Sequence, residues 1–302
     1  MRVQVHIPGF DVGMTADSGQ CFRFYNVDDN THQLYAKGRQ LTIISLGNDQ
    51  FDFDCSKDAF NAHWFDYFDL ARDYAVLGAV DAGEDSYVSK AIRHAKGIRV
   101  LKQEPFETLV AFIISQRKSI PAIKTCMEKL AVRFGQLDDI GFYSFPDAKA
   151  LAMAADEDLA ACGLGYRTPY IKQTAQMIAR GELDLELFAS LPDEELLQQL
   201  MRFPGVGKKV ASCVMLFAYQ RMDAFPVDVW IQRVLETHYP EGFPYERYPG
   251  VLGIIQQNLF VYARHEAGRK RAKLVKRRAQ RYNQSLSIFG RSRHAAQGTT
   301  TV

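Results

Sequence analysis

Cysteine is scarce and scattered in this chain: five residues, at positions 21, 55, 126, 162 and 213, with no Cys-x-x-Cys pair. An odd number at such spacing excludes a disulfide framework and a clustered zinc site. No uninterrupted apolar run approaches the roughly twenty residues that cross a bilayer, and the N-terminus lacks a signal-peptide pattern. The expectation is a cytoplasmic protein, nucleoid-associated if bacterial, with no membrane, metal or cofactor. Excess charge of one sign is also missing, since 37 Lys and Arg stand against 35 Asp and Glu, a net charge of +2. No internal repeat is visible. What remains is 47% hydrophobic and 24% charged over 302 residues, enough for two or three packed units with a sizeable core.

The pattern predicts an α+β protein. From Leu34 to Leu46 and from Gln50 to Cys55, alternating apolar, aromatic and β-branched residues are broken by Asn, Asp and Gly. These read as strands and turns of a small antiparallel sheet in a domain spanning 1–97. Helical periodicity dominates the region 98–263, over Phe106 to Ser115, Ile120 to Phe134, Asp156 to Cys162 and Ile171 to Ala179. A basic tail follows over 264–302, expected to be flexible or a solvated helix, with polar residues at its end from Ala295 to Val302. Between Arg264 and Arg281 nine basic residues face only Glu266, a net of +8, which leaves about −6 for everything else.

The stretch richest in chemistry is Phe203-Pro204-Gly205-Val206-Gly207-Lys208-Lys209-Val210-Ala211, with Asp228 nineteen positions after Lys209 in Phe225-Pro226-Val227-Asp228-Val229. Upstream, Leu196, Leu197 and Leu200 recur at helical spacing, with Asp193 as the expected cap and Glu194 and Glu195 in the first turn. Pro204 stops that helix. Gly205 and Gly207 then permit a tight hairpin, whose following helix turns its first amides toward an anion such as a DNA phosphate. Val210, Val214, Phe217 and Ala218 return at three- and four-residue steps, so a second packed helix carries Lys209 in its first turn. The whole reads as a helix-hairpin-helix. A Gly-x-Gly hairpin alone is weak evidence, and a lone lysine is usually a solvated charge. Here the helix dipole disfavours a cation and favours a nucleophilic neutral amine, which can attack a sugar C1′ and form a Schiff base. The Asp228 carboxylate would stabilise an oxocarbenium-like sugar and assist proton transfers.

These residues resemble the helix-hairpin-helix DNA glycosylases with a Gly-Pro-Asp-type loop (HhH-GPD), and within them the 8-oxoguanine DNA glycosylase and AP lyase group. The resemblance covers roughly residues 1 to 263 and rests on several segments in order. Ser18-Gly19-Gln20-Cys21-Phe22-Arg23-Phe24 is similar to the N-terminal segment whose glycine carbonyl, here that of Gly19, accepts the N7 hydrogen that only the oxidised guanine carries. Gln103-Glu104-Pro105-Phe106-Glu107 and Leu164-Gly165-Tyr166-Arg167 match further segments, with Tyr166 and Arg167 expected to fill and probe the opened duplex. Gln256 and Phe260 match the positions that read the base edge and stack on its face, and Cys213 matches the opposite wall. The resemblance implies Lys209 and Asp228 as catalytic residues, damaged double-stranded DNA as partner and a monomeric enzyme. Iron–sulfur relatives carry four clustered C-terminal cysteines that this chain lacks, so the adenine-mismatch and oxidised-pyrimidine branches are not expected.

Two positions depart from the family. Where an asparagine run is usual, this chain has Gln116-Arg117-Lys118-Ser119-Ile120, so Arg117 would enter the gap left by the flipped nucleotide and offer only donors to the widowed cytosine. Trp230 stands where many relatives have a pocket histidine. Two other readings stay open: a monofunctional glycosylase for alkylated bases, which would not need Lys209, and a noncatalytic DNA-binding module, which would need neither Lys209 nor Asp228.

Overall fold

Alternation in the N-terminal segment becomes five strands in the computed structural model, which describes residues 1–80 and 86–295, with side chains for 1–78 and 86–276. The strands β1 (Val3–His6), β2 (Phe24–Asn26), β3 (Thr31–Ala36), β4 (Arg39–Gly47) and β5 (Gln50–Phe53) form one antiparallel sheet in the order β1-β5-β4-β3-β2. The β3–β4 and β4–β5 hairpin tips have two residues each, Lys37-Gly38 and Asn48-Asp49, all with positive φ. Such turns match the right-handed twist of the flanking strands. Leu34, Leu41, Ile43, Phe51 and Phe53 point to one face and pack on Trp64, Tyr67 and Phe68. β1 and β2 were not evident from alternation, because four and three residues are too few for a period of two to register.

A short helix, α1 (Val12–Asp17), leads from the sheet's first strand toward the Gly19 segment. The principal helices that follow are α2 (Tyr87–His94), α3 (Pro105–Ser115), α4 (Ile120–Phe134), α5 (Thr168–Ala179), α6 (Asp193–Leu200), α7 (Lys208–Phe217), α8 (Val229–His238) and α9 (Leu252–Ala295). α3 is the central one: Thr108 through Ile114 are all buried, as expected of a helix apolar on every side. α7 packs against it through stacked rings of Phe112 and Phe217, 5.4 Å apart. Arg23, only 2% exposed, joins the sheet to α4 by bonding Glu128 at 3.1 Å and the Tyr143 carbonyl at 2.7 Å.

Three expectations change. Asp193 is the first residue of α6 and Pro192 occupies the cap position, so the aspartate does not cap the helix; it favours the helix dipole and pairs with Arg221 at 3.4 Å. Packing does not divide at residue 97: Leu77, Val88 and Ala91 belong to the helical core, whereas Leu101 packs with the sheet. The reason is that α2 lies on α9, stacking His94 on His265 at 4.1 Å and donating from the Tyr87 hydroxyl to Glu266. Finally, the basic segment does not begin a separate element at Arg264, because α9 runs unbroken to Ala295. Its side chains from Gly268 to Lys276 are all exposed. Of the polar end segment, residues 296–302 lie outside the described residues. Among the described residues no helix is long and apolar enough to cross a membrane.

Candidate active site

Gly205 shows why the hairpin needs glycine. Its φ is +76°, and a Cβ there would lie 2.5 Å from the Tyr170 ring. Gly207 differs from the expectation: its backbone is extended, which any residue adopts, and no atom lies within 4 Å of a built Cβ. What Gly207 provides is an open approach. No side chain caps α7, so the first-turn amides keep no intrahelical acceptor and can face an anion. Gln116 ties this hairpin to the loop after α3, donating to the Gly205 carbonyl at 3.1 Å. In turn the Gln116 carbonyl accepts from Arg167, which also donates to the Leu164 carbonyl at 3.1 Å.

Arg167, expected to probe the opened duplex, is 5% exposed and donates from its two terminal nitrogens to two carbonyls, which braces the loop carrying Arg117. Tyr166, 54% exposed, remains at the surface with the Arg167 guanidinium 4.3 Å from its ring centroid. Arg117 is exposed and holds φ +52°, a left-handed conformation that costs a non-glycine residue energy and tends to persist where function requires it.

One cleft of about 1050 Å³ collects the remaining candidates. α7 supplies Lys209 and Cys213, α9 supplies Gln256 and Phe260, and Gly19, Arg117 and Asp228 complete the wall. Tyr166, Arg167, Gly205 and Gly207 do not line it. A more open hollow of about 590 Å³ beside Tyr25, Lys124 and Glu128 contains none of the candidates and is not the site.

Lys209 sits on an apolar floor, its Nζ 5.1 Å from the Phe112 ring centroid. It donates to Ser115 Oγ at 3.2 Å, and the Ser115 hydroxyl in turn donates to the Phe112 carbonyl at 2.7 Å. Among the described residues no ion pair within 4.0 Å joins Lys209 to a carboxylate, so its amine is not held by a counter-ion. Cys213 is buried beside it. Burial pushes that thiol up, with Lys209 opposing, so Cys213 presents a neutral wall and no thiolate nucleophile.

Asp228 is the N-cap of α8. One oxygen, Oδ1, accepts from the Trp230 and Ile231 amides at 2.9 Å each. The cap and a catalytic role do not compete, because two backbone donors hold the carboxylate in one orientation while Oδ2 remains for the cleft. Gln256 is 4% exposed and donates to the Pro226 carbonyl at 2.9 Å, while its Oε1 is buried with no partner. A buried acceptor without a donor fits a bound group with N–H to offer. At Gly19, φ is +80°, where a side chain is strained, and a Cβ would press on Ile120 at 2.8 Å and Phe260 at 3.2 Å. The glycine therefore lets the backbone come close to the stacking face of Phe260.

Sequence reasoning missed Ser115, Gln257 and Arg264, all of which line the cleft. A signal existed for Gln257: Gln256, Gln257 and Asn258 are three consecutive amides inside the apolar run Ile254 to Leu259, where polar residues are uncommon without partners.

Comparison with known proteins agrees with this geometry. Residues 2–109 match the 8-oxoguanine DNA glycosylase N-terminal domain, and residues 110–242 match the HhH-GPD superfamily of base excision DNA repair proteins. The solved structure of MBOgg1 in complex with a low-affinity DNA ligand is 35% identical, with a TM-score of 0.82 over 88% of this chain and 96% of that one. The chain belongs to the 8-oxoguanine DNA glycosylase family. Another solved family member, the Clostridium acetobutylicum 8-oxoguanine glycosylase/lyase in complex with DNA containing cytosine opposite 8-oxoG, is 32% identical with a TM-score of 0.80, over 88% of this chain and 98% of that one. Among curated relatives, the Saccharomyces cerevisiae N-glycosylase/DNA lyase is 32% identical over 66% of this chain. The probable N-glycosylase/DNA lyase of Methanothermobacter thermautotrophicus is 29% identical over 57% of this chain. The matched regions span 55% and 61% of the length of those two relatives.

Proposed function

We infer that this protein excises 8-oxoguanine, or a closely related oxidised purine, from duplex DNA and cleaves the resulting abasic strand through a Schiff base on Lys209. The observation that carries this is the convergence of Lys209, Asp228, Gly19, Gln256 and Phe260 on one cleft. The target bond is inaccessible within the base stack, so the nucleotide must be flipped out, at a cost of a few kcal/mol. Arg117 and Tyr166, exposed beside the hairpin, are placed to offset that cost by filling the gap, and the uncapped amides of α7 hold a backbone phosphate. The extruded base lies against Phe260, offers its edge to Gln256 Oε1, and donates its N7 hydrogen to the Gly19 carbonyl.

The Lys209 amine then attacks C1′. The C1′–N9 bond breaks and its electron pair leaves with the base, which takes up a proton. Asp228 stabilises the positive charge that develops on the sugar. Opening of the sugar ring gives an imine between Lys209 and C1′, and loss of a C2′ proton expels the 3′ phosphate. Ser115 holds Lys209 in place through its hydroxyl, which accepts from Nζ at 3.2 Å.

The basic run on α9 extends the same reading: a body with a net charge of about −6 meets a polyanion beside a segment of +8 that begins at Arg264 on the cleft wall. Monomeric state and cytoplasmic location belong to this reading as well. The test is incubation with duplexes carrying single lesions, followed by borohydride. A covalent adduct is expected with 8-oxoguanine duplex for the wild type and none for Lys209→Gln, which should still bind that duplex. Base release without an adduct would favour the monofunctional alternative.

A further inference from the structure

Side chains hold the carbonyls that flank Gly19. Gln257, 2% exposed on α9, donates to the Ser18 carbonyl at 2.8 Å. Gln103 donates to the Gln20 carbonyl at 2.9 Å, and Arg264 donates to the Asp17 carbonyl at 3.2 Å. The Gln20 side chain adds a buried brace, bonding Ser18 Oγ, the Arg99 carbonyl and the Leu101 amide at 2.8 to 2.9 Å. Among the described residues no donor is directed at the Gly19 carbonyl. The flanking carbonyls each have a donor, so this one is left for a ligand.

We propose that Gln257 is a positioning residue for lesion specificity, setting the height of the Gly19 carbonyl over the base that Phe260 and Gln256 hold. The argument rests on the proposed function. Guanine and 8-oxoguanine differ at N7 by one inversion, an acceptor lone pair against an N–H donor. A single carbonyl reads that inversion only if its distance to the base plane is fixed, because a hydrogen bond weakens steeply with misalignment. Gln257 is adjacent to Gln256 and one turn before Phe260 on the same rigid helix, so one element fixes both the base and its reader. The clamp also spans 239 positions of sequence and ties the N-terminal segment to the catalytic half of the chain.

The experiment compares two reactions of the full-length protein. Excision of 8-oxoguanine opposite cytosine needs the Gly19 carbonyl, whereas cleavage of a preformed abasic site needs Lys209 but no base. Gln257→Leu, which keeps volume and removes the donor, should slow excision about tenfold, the usual worth of one such hydrogen bond, and leave abasic-site cleavage within about twofold. Gln257→Glu supplies a pH readout that a packing role would not move. An ionised carboxylate repels the Ser18 carbonyl, whereas a protonated one donates to it, so the ratio of excision to cleavage should recover as pH falls. Equal losses in both reactions, an unchanged ratio in Gln257→Leu, or a pH-independent ratio in Gln257→Glu would each overturn the proposal. Failure of the wild type to excise 8-oxoguanine would instead overturn the proposed function.

Discussion

Asp228→Asn separates charge from architecture at the catalytic carboxylate. Asparagine is about as good an N-cap as aspartate, so the bonds from the Trp230 and Ile231 amides to Oδ1 survive the substitution. What disappears is one negative charge, worth ~0.3–1 kcal/mol to the α8 dipole, which is a fall of only about 1–4 °C in Tm for a protein of this size. Binding of lesion duplex should hold or tighten slightly, because the residue removed repels the phosphates. The chemical step is different. Loss of a fixed charge aimed at a developing cation costs roughly 3–4 kcal/mol, or about 10²–10³ in rate. Single-turnover excision with enzyme in excess, duplex affinity by anisotropy and thermal melts measure the three effects on one sample. Asp228→Ala is the contrast, since it also removes the cap and should lose a further ~0.5–2 kcal/mol of stability. If Asp228→Asn kept its rate, or lost rate only in step with Tm, the carboxylate would be a cap and nothing more.

Three further outcomes follow from the same structure. Wild type should prefer cytosine opposite the lesion, and Arg117→Ala should flatten single-turnover rates across the four opposite bases while slowing base flipping; an unchanged ranking would remove Arg117 from opposite-strand reading. Converting Arg269, Lys270, Arg271, Lys273 and Lys276 to Gln should lower the slope of log affinity against log salt by about 2 or more, since each lost phosphate contact removes ~0.9, with the saturated single-turnover rate intact. An unchanged slope would detach α9's basic run from DNA. Burial pushes the Glu107 carboxyl up to about 8, with Arg23 opposing and Glu104 and Glu128 adding to the rise. Between about pH 4.3, the unfolded value, and about 8 the folded state then holds more protons, so this group's contribution to stability falls as pH rises through that window. Glu107→Gln, always neutral, should gain Tm relative to wild type from pH 5 to pH 8.5, and parallel melting profiles at both pH values would refute the assignment.

By itself the sequence determined the helix-hairpin-helix, the strand-rich start and the identity of the cleft residues Lys209, Cys213, Asp228, Gln256, Phe260, Gly19 and Arg117. These were legible because periodicity, glycine placement and motif order are local properties, and because the matching segments occur in a fixed order. Local rules could not say what each side chain would face. Whether Arg167 points to solvent or into carbonyls depends on where Gln116 and Leu164 lie, and those are separate loops brought together by α3 and α5. Gly207 looked like a conformational glycine on spacing alone, and only the backbone shows that it keeps an approach open. That Asp228 spends one oxygen on α8 became visible only in its hydrogen bonds. The pairing of Ser18 with Gln257 is the furthest from any local signal. Its two partners stand 239 residues apart, and nothing short of the packed interface between sheet and helices makes them neighbours.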